Sequence, residues 1–189
     1  MKNSVFMEEM DAFTYREKLA KDAVVFIPVG ALEQHGSHMA MCVDAALTNG
    51  GGIREALAKG DISKKSLLAV FPFGNTVATI DVTGAQLLEA LEAATCTTPE
   101  AIGAFPQVSG IEFTLNTGVP YVNGTQYANS TYYAPANPGS RVTISTVNGE
   151  AFDPAATYTI ATNDFTAKGG DTYGVFKTAG GWKDVGVSL

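Results

Sequence analysis

The pattern of apolar positions is most regular after residue 83. Thr83 and Gln86 have the spacing of a capping box, in which each side chain bonds the other residue's backbone N–H. Apolar residues then recur at helical period on one face: Leu87, Leu88, Leu91 and Ala94. This periodicity predicts a helix over residues 84–95.

Two further elements are predicted near the beginning of the chain. Residues 7–21 are rich in helix formers, with acidic residues early and lysine late, which complements the helix dipole. The run AVVFIPVGAL over residues 23–32 is continuously apolar and of strand length, as in a strand that is covered on both faces. The pattern predicts a helix that leads into a buried strand.

The middle of the chain mixes helix and strand signals. Asp61 is the predicted cap of a short helix over residues 63–70, and FPFGN then predicts a turn. The segment TVATIDV, over residues 76–82, has the composition of a strand.

The later part of the chain has β patterning. Strands are predicted at IEFTL, RVTISTV and YTIATNDF, which occupy residues 111–115, 141–147 and 158–165, and Asn148-Gly149 is a hairpin-turn signal. The Tyr-rich segment over residues 116–139 is polar, which predicts a surface loop or an irregular hairpin. These elements predict an α+β fold with mixed sheets and packed helices.

Composition limits the partners of this protein. The chain has 189 residues and a formal net charge of −7, which opposes binding to a nucleic-acid polymer. No apolar run approaches the ~20 residues that cross a bilayer, so we expect no membrane association. The beginning lacks a secretory signal, so the chain as written is expected in the cytoplasm. We interpret Cys42 and Cys96 as small apolar residues.

Residues 33–44 contain candidate metal ligands. Glu33 and His35 are two residues apart, so both side chains would project to one side of an extended backbone, and Asp44 could add a third ligand. Carboxylate and imidazole ligands suit Zn²⁺ or Mn²⁺. A polar surface turn explains the same residues equally simply.

Residues 1–44, through SVF, PVGALEQHG, HM and VD, resemble the amino-terminal segment of creatininase. The resemblance implies that Glu33, His35 and Asp44 are metal ligands, with Asp44 bridging two ions. The family also needs another histidine and another carboxylate, whereas this chain has only His35 and His38. We therefore expect no required cofactor, and at most a vestigial Zn²⁺ or Mn²⁺ site. GSHM at residues 36–39 also resembles a cloning scar.

The sequence NGGGIR follows directly. Consecutive glycines allow the backbone to turn tightly and to approach a ligand, and the guanidinium of Arg54 suits a phosphate or a carboxylate. By itself this signal is weak, because a glycine turn followed by a surface arginine has the same sequence.

Residues 45–189 contain several motifs in a fixed order: ALTNGGGIR, GDIS, FPFGNT, TGAQLLEALE, GAFPQVSGIEF and ATNDFTAKGGDTY. Together they resemble the carboxy-terminal, substrate-binding domain of the 5′-nucleotidase family, which includes UDP-sugar hydrolases and 2′,3′-cyclic-nucleotide phosphodiesterases. The two resemblances imply a chimera joined between Cys42 and Ala46, with one segment over residues 1–44 and a nucleotide-binding domain over residues 45–189.

The 5′-nucleotidase resemblance also implies the site residues. Phe73 and Phe165 would clamp a nucleobase between their rings, Asn75 would meet the base edge, and Asp171 would accept hydrogen bonds from the ribose hydroxyls. The wall toward the ribose and phosphate would be completed by Asn49, Arg54 and Gly103. Taken singly, either phenylalanine is explained as a core residue and Asp171 as a turn residue. Phe105 is interpreted as structural.

The resemblance implies a domain that binds a nucleoside or nucleotide and does not hydrolyse it. In the family, ester hydrolysis belongs to a separate amino-terminal metallophosphoesterase domain, and many members are periplasmic or on the cell surface. The alternatives are a structural chimera without activity and a metal-dependent amidohydrolase built on residues 33–44. A strand over residues 23–32 that finds no partner within its own chain would pair with a second copy, which predicts a homodimer.

Overall fold

The computed structural model describes residues 43–57 and 61–188. The predicted helix over residues 7–21 and the predicted strand over residues 23–32 lie outside this part of the chain, as do Glu33 and His35. The remaining predicted elements fall within it.

The described residues form strands and short helices. The strands are β1 (Ala45–Asn49), β2 (Thr76–Thr83), β3 (Pro106–Ser109), β4 (Ile111–Leu115), β5 (Asn123–Gln126), β6 (Tyr133–Pro135), β7 (Val142–Val147), β8 (Glu150–Ala151), β9 (Thr157–Asn163) and β10 (Gly180–Ser188). The helices are α1 (Lys64–Val70), α2 (Gly84–Ala94) and α3 (Asp164–Ala167), with 3-10 turns at Gly50–Gly52 and Gly174–Thr178. None of these described helices is long and apolar enough to span a membrane.

The strands pair into three sheets. The largest has the order β10-β2-β9-β1-β3, the second has the order β4-β7-β8, and β5 and β6 form a separate hairpin. Within the five-stranded sheet β1 and β9 are parallel, and the other neighbours are antiparallel. The predicted α+β class with mixed sheets is confirmed.

Helix α2 is confirmed with its predicted cap. The hydroxyl of Thr83 accepts a hydrogen bond from the backbone N–H of Gln86, and the Gln86 side chain accepts one from the N–H of Thr83. The helix contacts β2, β6 and β7, one strand from each sheet. Its buried apolar face, with Leu87 and Leu91 at 0% exposure, therefore lies at the centre of the core.

The predicted cap of α1 is wrong. Ser63, and not Asp61, precedes the first helical residue, and its hydroxyl accepts from the backbone N–H of Ser66 at 3.1 Å. A capping side chain must lie directly before the first turn to reach the free N–H groups there, and Asp61 lies two residues too early.

The predicted end of β9 is also wrong. The strand ends at Asn163, and the following residues form the single turn of α3 rather than continuing the strand to Phe165. The side chain of Asn163 accepts from the backbone N–H of Thr166 at 2.7 Å, which is an N-cap that starts a helix. Phe165 is therefore the second residue of a helical turn.

The hairpin signal at Asn148-Gly149 is confirmed. Both residues have positive φ angles, 53° and 78°, as a two-residue turn of mirror-image type requires, and they connect β7 to β8. Residues 116–139 form the irregular-hairpin alternative, around β5 and β6.

Candidate functional site

One edge of the five-stranded sheet gathers the predicted site residues. Because β1 and β9 are parallel, their carboxyl ends share this edge, and the antiparallel strands β2 and β3 begin there. In register, Asn49 pairs with Pro106, and Val77 pairs with Asn163. The segments that carry Phe73, Phe165 and Gly103 all adjoin these strand ends.

Both phenylalanines of the predicted clamp are exposed. The side chain of Phe73 is 60% exposed and that of Phe165 is 40% exposed, so neither is a core residue. Their segments are tied together, since the backbone N–H of Thr76 donates to Oδ1 of Asp164 at 3.1 Å. Phe73 lies three residues before this hydrogen bond and Phe165 one residue after it.

A small, open cleft lies beside Phe73. Asn75, the residue expected to meet a base edge, lines the same cleft. The complete lining is Thr48, Gly52, Phe71, Phe73, Asn75 and Asn163. An aromatic ring and a carboxamide on one cleft suit a flat ligand with hydrogen-bonding edges.

Buried amides connect Asn49 to Asp171. Nδ2 of Asn163 donates to Oδ1 of Asn49 at 2.9 Å and to the hydroxyl of Thr48 at 2.8 Å. With its oxygen occupied in this way, Asn49 directs its own Nδ2 toward Asp171, whose Oδ2 lies 3.3 Å away. Asn49 and Asn163 are 5% and 2% exposed. The network therefore orients the Asp171 carboxylate from the protein interior.

The turn at residues 169–171 supports the ring of Phe165. Asp171 has a positive φ of 48°, which is uncommon for a residue with a side chain. A Cβ added to Gly170 would lie 2.5 Å from Cε1 and Cζ of the Phe165 ring. The ring thus packs directly on the backbone of Gly170, and only glycine leaves room for it there.

The glycine loop after β1 packs against the loop before β3. The N–H of Gly51 donates to the carbonyl of Gly103 at 2.7 Å, and that of Gly50 donates to the carbonyl of Phe105 at 2.8 Å. A Cβ on Gly51 would lie 2.9 Å from the Gly103 oxygen, so this approach requires glycine. Gly103 is therefore brought into the predicted wall, and the Phe105 carbonyl anchors the glycine loop.

Arg54 lies at the outer end of the same loop. Its side chain is exposed, and Nη1 donates to the carbonyl of Gly51 at 3.4 Å, near the upper limit for a hydrogen bond. An exposed guanidinium held by one long contact can turn toward an anion at low cost.

The comparisons with known proteins show the family to which the chain belongs. Residues 14–178 match the model of the family described as 5′-nucleotidase, C-terminal domain. The chain belongs to this family. Among its relatives, the trifunctional nucleotide phosphoesterase protein YfkN of Bacillus subtilis (strain 168) is 43% identical over 148 residues, which cover 75% of this chain and 9% of YfkN.

Two further relatives support the assignment of this 5′-nucleotidase C-terminal domain. Protein UshA of Escherichia coli (strain K12) is 35% identical over 130 residues, which cover 69% of this chain and 20% of UshA. The crystal structure of the 5′-nucleotidase precursor from Thermus thermophilus matches with a TM-score of 0.61 and 33% identity, over 77% of this chain and 26% of that chain. The chain spans a fifth or less of the length of the two curated relatives.

The comparisons lend no support to a creatininase-like segment. The match to the 5′-nucleotidase C-terminal domain begins at residue 14, well before the junction predicted between Cys42 and Ala46. Most of the predicted segment over residues 1–44 is therefore covered by one family model, together with the residues that follow it. The chimera stays a prediction that these findings do not support.

The candidate metal ligand Asp44 has a structural contact at the far end of β1. Its Oδ2 accepts from the backbone N–H of Thr159 at 2.8 Å, and its own N–H donates to the Thr159 carbonyl. The five residues of β1 separate it from the edge that carries Asn49, by about 16 Å at ~3.3 Å per residue. No group of three metal-ligand side chains occurs among the described residues.

The nucleotidase domain has supporting residues that the sequence patterns did not identify: Asn163, Asp164 and Tyr173. The Tyr173 hydroxyl donates to the carbonyl of Ala104 at 2.7 Å, and burial raises the pKa of this phenol. The hydrogen bond from Lys168 lowers the pKa of Asp164. An Asx residue at the end of a strand is a cap signal, which could have identified Asn163.

Replacing Asn163 with aspartate should destabilise the domain by about 2 kcal/mol, because a buried carboxylate oxygen would face the Asn49 oxygen in place of a donor. Urea unfolding followed by circular dichroism measures this loss. Asn116→Asp is the matched control, since the exposed Asn116 uses only its oxygen, as an acceptor from Gly118. Equal midpoints for the two variants would contradict the proposed role of the network.

Proposed function

We propose that this chain is the nucleotide- or nucleoside-binding domain of a 5′-nucleotidase-type hydrolase and does not hydrolyse its ligand by itself. The observation that carries the proposal is the presence of two exposed phenylalanines, Phe73 and Phe165, in segments tied together at one sheet edge. A flat heterocycle that inserts between two aromatic faces gains ~1 to 3 kcal/mol from stacking.

The polar groups beside the phenylalanines suit the remainder of a nucleoside. Asn75, on the cleft, offers both a donor and an acceptor to a base edge. Asp171, oriented by Asn49, offers a carboxylate that accepts from ribose hydroxyls. Arg54 suits a phosphate, because an exposed guanidinium favours an anion.

Hydrolysis of a phosphate ester requires an activated water and charge stabilisation at phosphorus. Among the described residues no cluster of metal-ligand side chains occurs that would supply them. The relatives are named as phosphoesterases and nucleotidases over chains far longer than the matched region. We therefore assign binding to the described domain and leave ester hydrolysis to such longer proteins.

Calorimetric titration with AMP and with adenosine tests the proposal. We expect saturable binding to the unaltered chain, and a loss of more than about tenfold in affinity for Phe73→Ala with Phe165→Ala, because two stacking faces are removed. Val122→Ala is the control, since Val122 is 56% exposed and lies in the segment before β5, which contributes none of the predicted site residues.

Two outcomes would remove the proposed function. One is the absence of saturable binding at millimolar ligand, which is the result expected of a protein without surviving activity. The other is binding that the double phenylalanine variant leaves unchanged, which would place any ligand elsewhere on the molecule. A comparison of AMP with adenosine measures the contribution of the phosphate separately.

A further inference from the structure

We propose that Asp164 is a positioning residue that holds the Phe73 loop at a set distance from the Phe165 turn. The inference deepens the proposed function and rests on it for the identity of the ligand. Asp164 is none of the residues expected to touch a nucleotide, and its side chain acts on the backbone of the neighbouring strand.

The hydrogen bond between Thr76 and Asp164 lies just beyond the last residue pair of β2 and β9, where the sheet no longer holds the Phe73 loop. The last residue pair between β2 and β9 is Val77 with Asn163, and residues 73–75 extend beyond it. Oδ1 of Asp164 accepts from the N–H of Thr76 at 3.1 Å, one residue past this pair. Gly74, with a φ of 65°, gives the loop a flexible point between Phe73 and the strand.

The second carboxylate oxygen of Asp164 has a separate partner. Oδ2 accepts from Nζ of Lys168 at 2.7 Å, one helical turn later in the chain. This ion pair holds the carboxylate in one orientation, but Lys168 is 58% exposed and solvent weakens such pairs. Oδ1 of Asp164 therefore binds the β2 backbone and Oδ2 binds Lys168, and substitutions can remove one of these two contacts without the other.

Thr76 is also held from its other side. Its hydroxyl donates to Oδ2 of Asp184 on β10 at 3.0 Å. Thr76, the residue that starts β2, is thus fixed between α3 and β10. Its bond to Asp164 is the contact that sets its position relative to Phe165, the next residue in the chain after Asp164. A rigid support of this kind presets the gap between two rings, so that a ligand does not have to order the loop.

The first arm of the test needs no ligand and uses amide hydrogen exchange, followed by NMR. In Asp164→Ala the amide of Thr76 should exchange about tenfold faster or more, because its acceptor is gone. Asp164→Asn keeps an oxygen at the position of Oδ1 and should restore most of the protection. Lys168→Met keeps Asp164 and should leave the Thr76 amide protected.

The second arm measures binding and ring geometry with adenosine. At saturation, the upfield shift of the adenine H2 and H8 protons reports how closely the aromatic rings face the base, whatever the affinity. Asp164→Ala should reduce this shift and weaken binding about fivefold to tenfold, and Asp164→Asn should recover both. A merely destabilised protein would lose folded fraction without changing the shift of its saturated complex.

The two arms distinguish the failure of this inference from that of the proposed function. If the unaltered chain binds adenosine but Asp164→Ala leaves either Thr76 protection or the saturated shift unchanged, the positioning role is wrong and the proposed function stands. If the unaltered chain does not bind adenosine, the proposed function fails and the role of Asp164 toward a ligand fails with it. The positioning role is supported if Asp164→Ala loses both the Thr76 protection and the saturated shift while Asp164→Asn retains most of both.

Discussion

Replacing Gly170 with alanine should weaken AMP binding by about tenfold or more while the domain stays folded. The added Cβ would lie 2.5 Å from two carbon atoms of the Phe165 ring, closer than side chains approach one another. The ring is 40% exposed and can rotate outward, so the clash removes a stacking face rather than unfolding the protein. Stacking contributes ~1 to 3 kcal/mol per base, which corresponds to this loss of affinity. Calorimetric titration measures it.

The control for this substitution is Gly180→Ala. A Cβ at Gly180 meets nothing closer than the carbonyl oxygen of Asp81 at 3.9 Å, an ordinary contact, so the variant should bind AMP normally. Combining Gly170→Ala with Phe165→Ala should weaken binding no further than Phe165→Ala alone, because both changes remove the same ring face. Normal binding by Gly170→Ala would show that the ring of Phe165 does not contact the nucleotide.

Replacing Arg141 with methionine should destabilise the domain by about 3 kcal/mol. Arg141 is 3% exposed, and its guanidinium donates to three backbone carbonyls: those of Val119, Thr95 and Thr98, at 2.8, 2.9 and 3.2 Å. Methionine fills much of the same volume but leaves these buried oxygens without a donor. The midpoint of urea unfolding, followed by circular dichroism, measures the loss.

Lys177→Met is the matched control for Arg141→Met. Lys177 is exposed, and its Nζ donates to the single carbonyl of Ala128 at 2.9 Å. Water replaces such a donor at little cost, so the control should change stability by less than about 0.5 kcal/mol. Similar unfolding midpoints for the two variants would show that the hydrogen bonds of Arg141 do not hold the segment around β5 and β6 to the end of α2.

Local signals predicted the elements that local interactions stabilise. The capping box of Thr83 and Gln86 and the positive φ angles at Asn148-Gly149 depend on residues within four positions of one another, so they can be recognised in the sequence. The two wrong predictions, the cap of α1 and the end of β9, also concern interactions between residues close together in the sequence. Ser63 replaces Asp61 as a cap, and Asn163 ends β9 because its side chain starts a helix.

The candidate site was predicted by resemblance and not by local pattern. The motifs identified Phe73, Asn75, Phe165 and Asp171, while residue type alone would have placed both phenylalanines in the core. The structure shows them at one sheet edge, and their contact with a nucleotide stays a prediction. The supporting roles of Asn163 and Asp164 were not predicted, because each depends on a partner far away in the sequence.

By itself the sequence determined the class of fold, the positions of most strands, the central helix and the family, since periodicity, caps and ordered motifs are properties of neighbouring residues. Only the tertiary structure decided which strand ends share an edge. It joined Asn163 to Asn49 across 114 positions and Asp164 to Thr76 across 88. The physical reason is that sheet pairing brings distant segments together, and a side chain then bonds whichever backbone or amide group lies within about 3 Å.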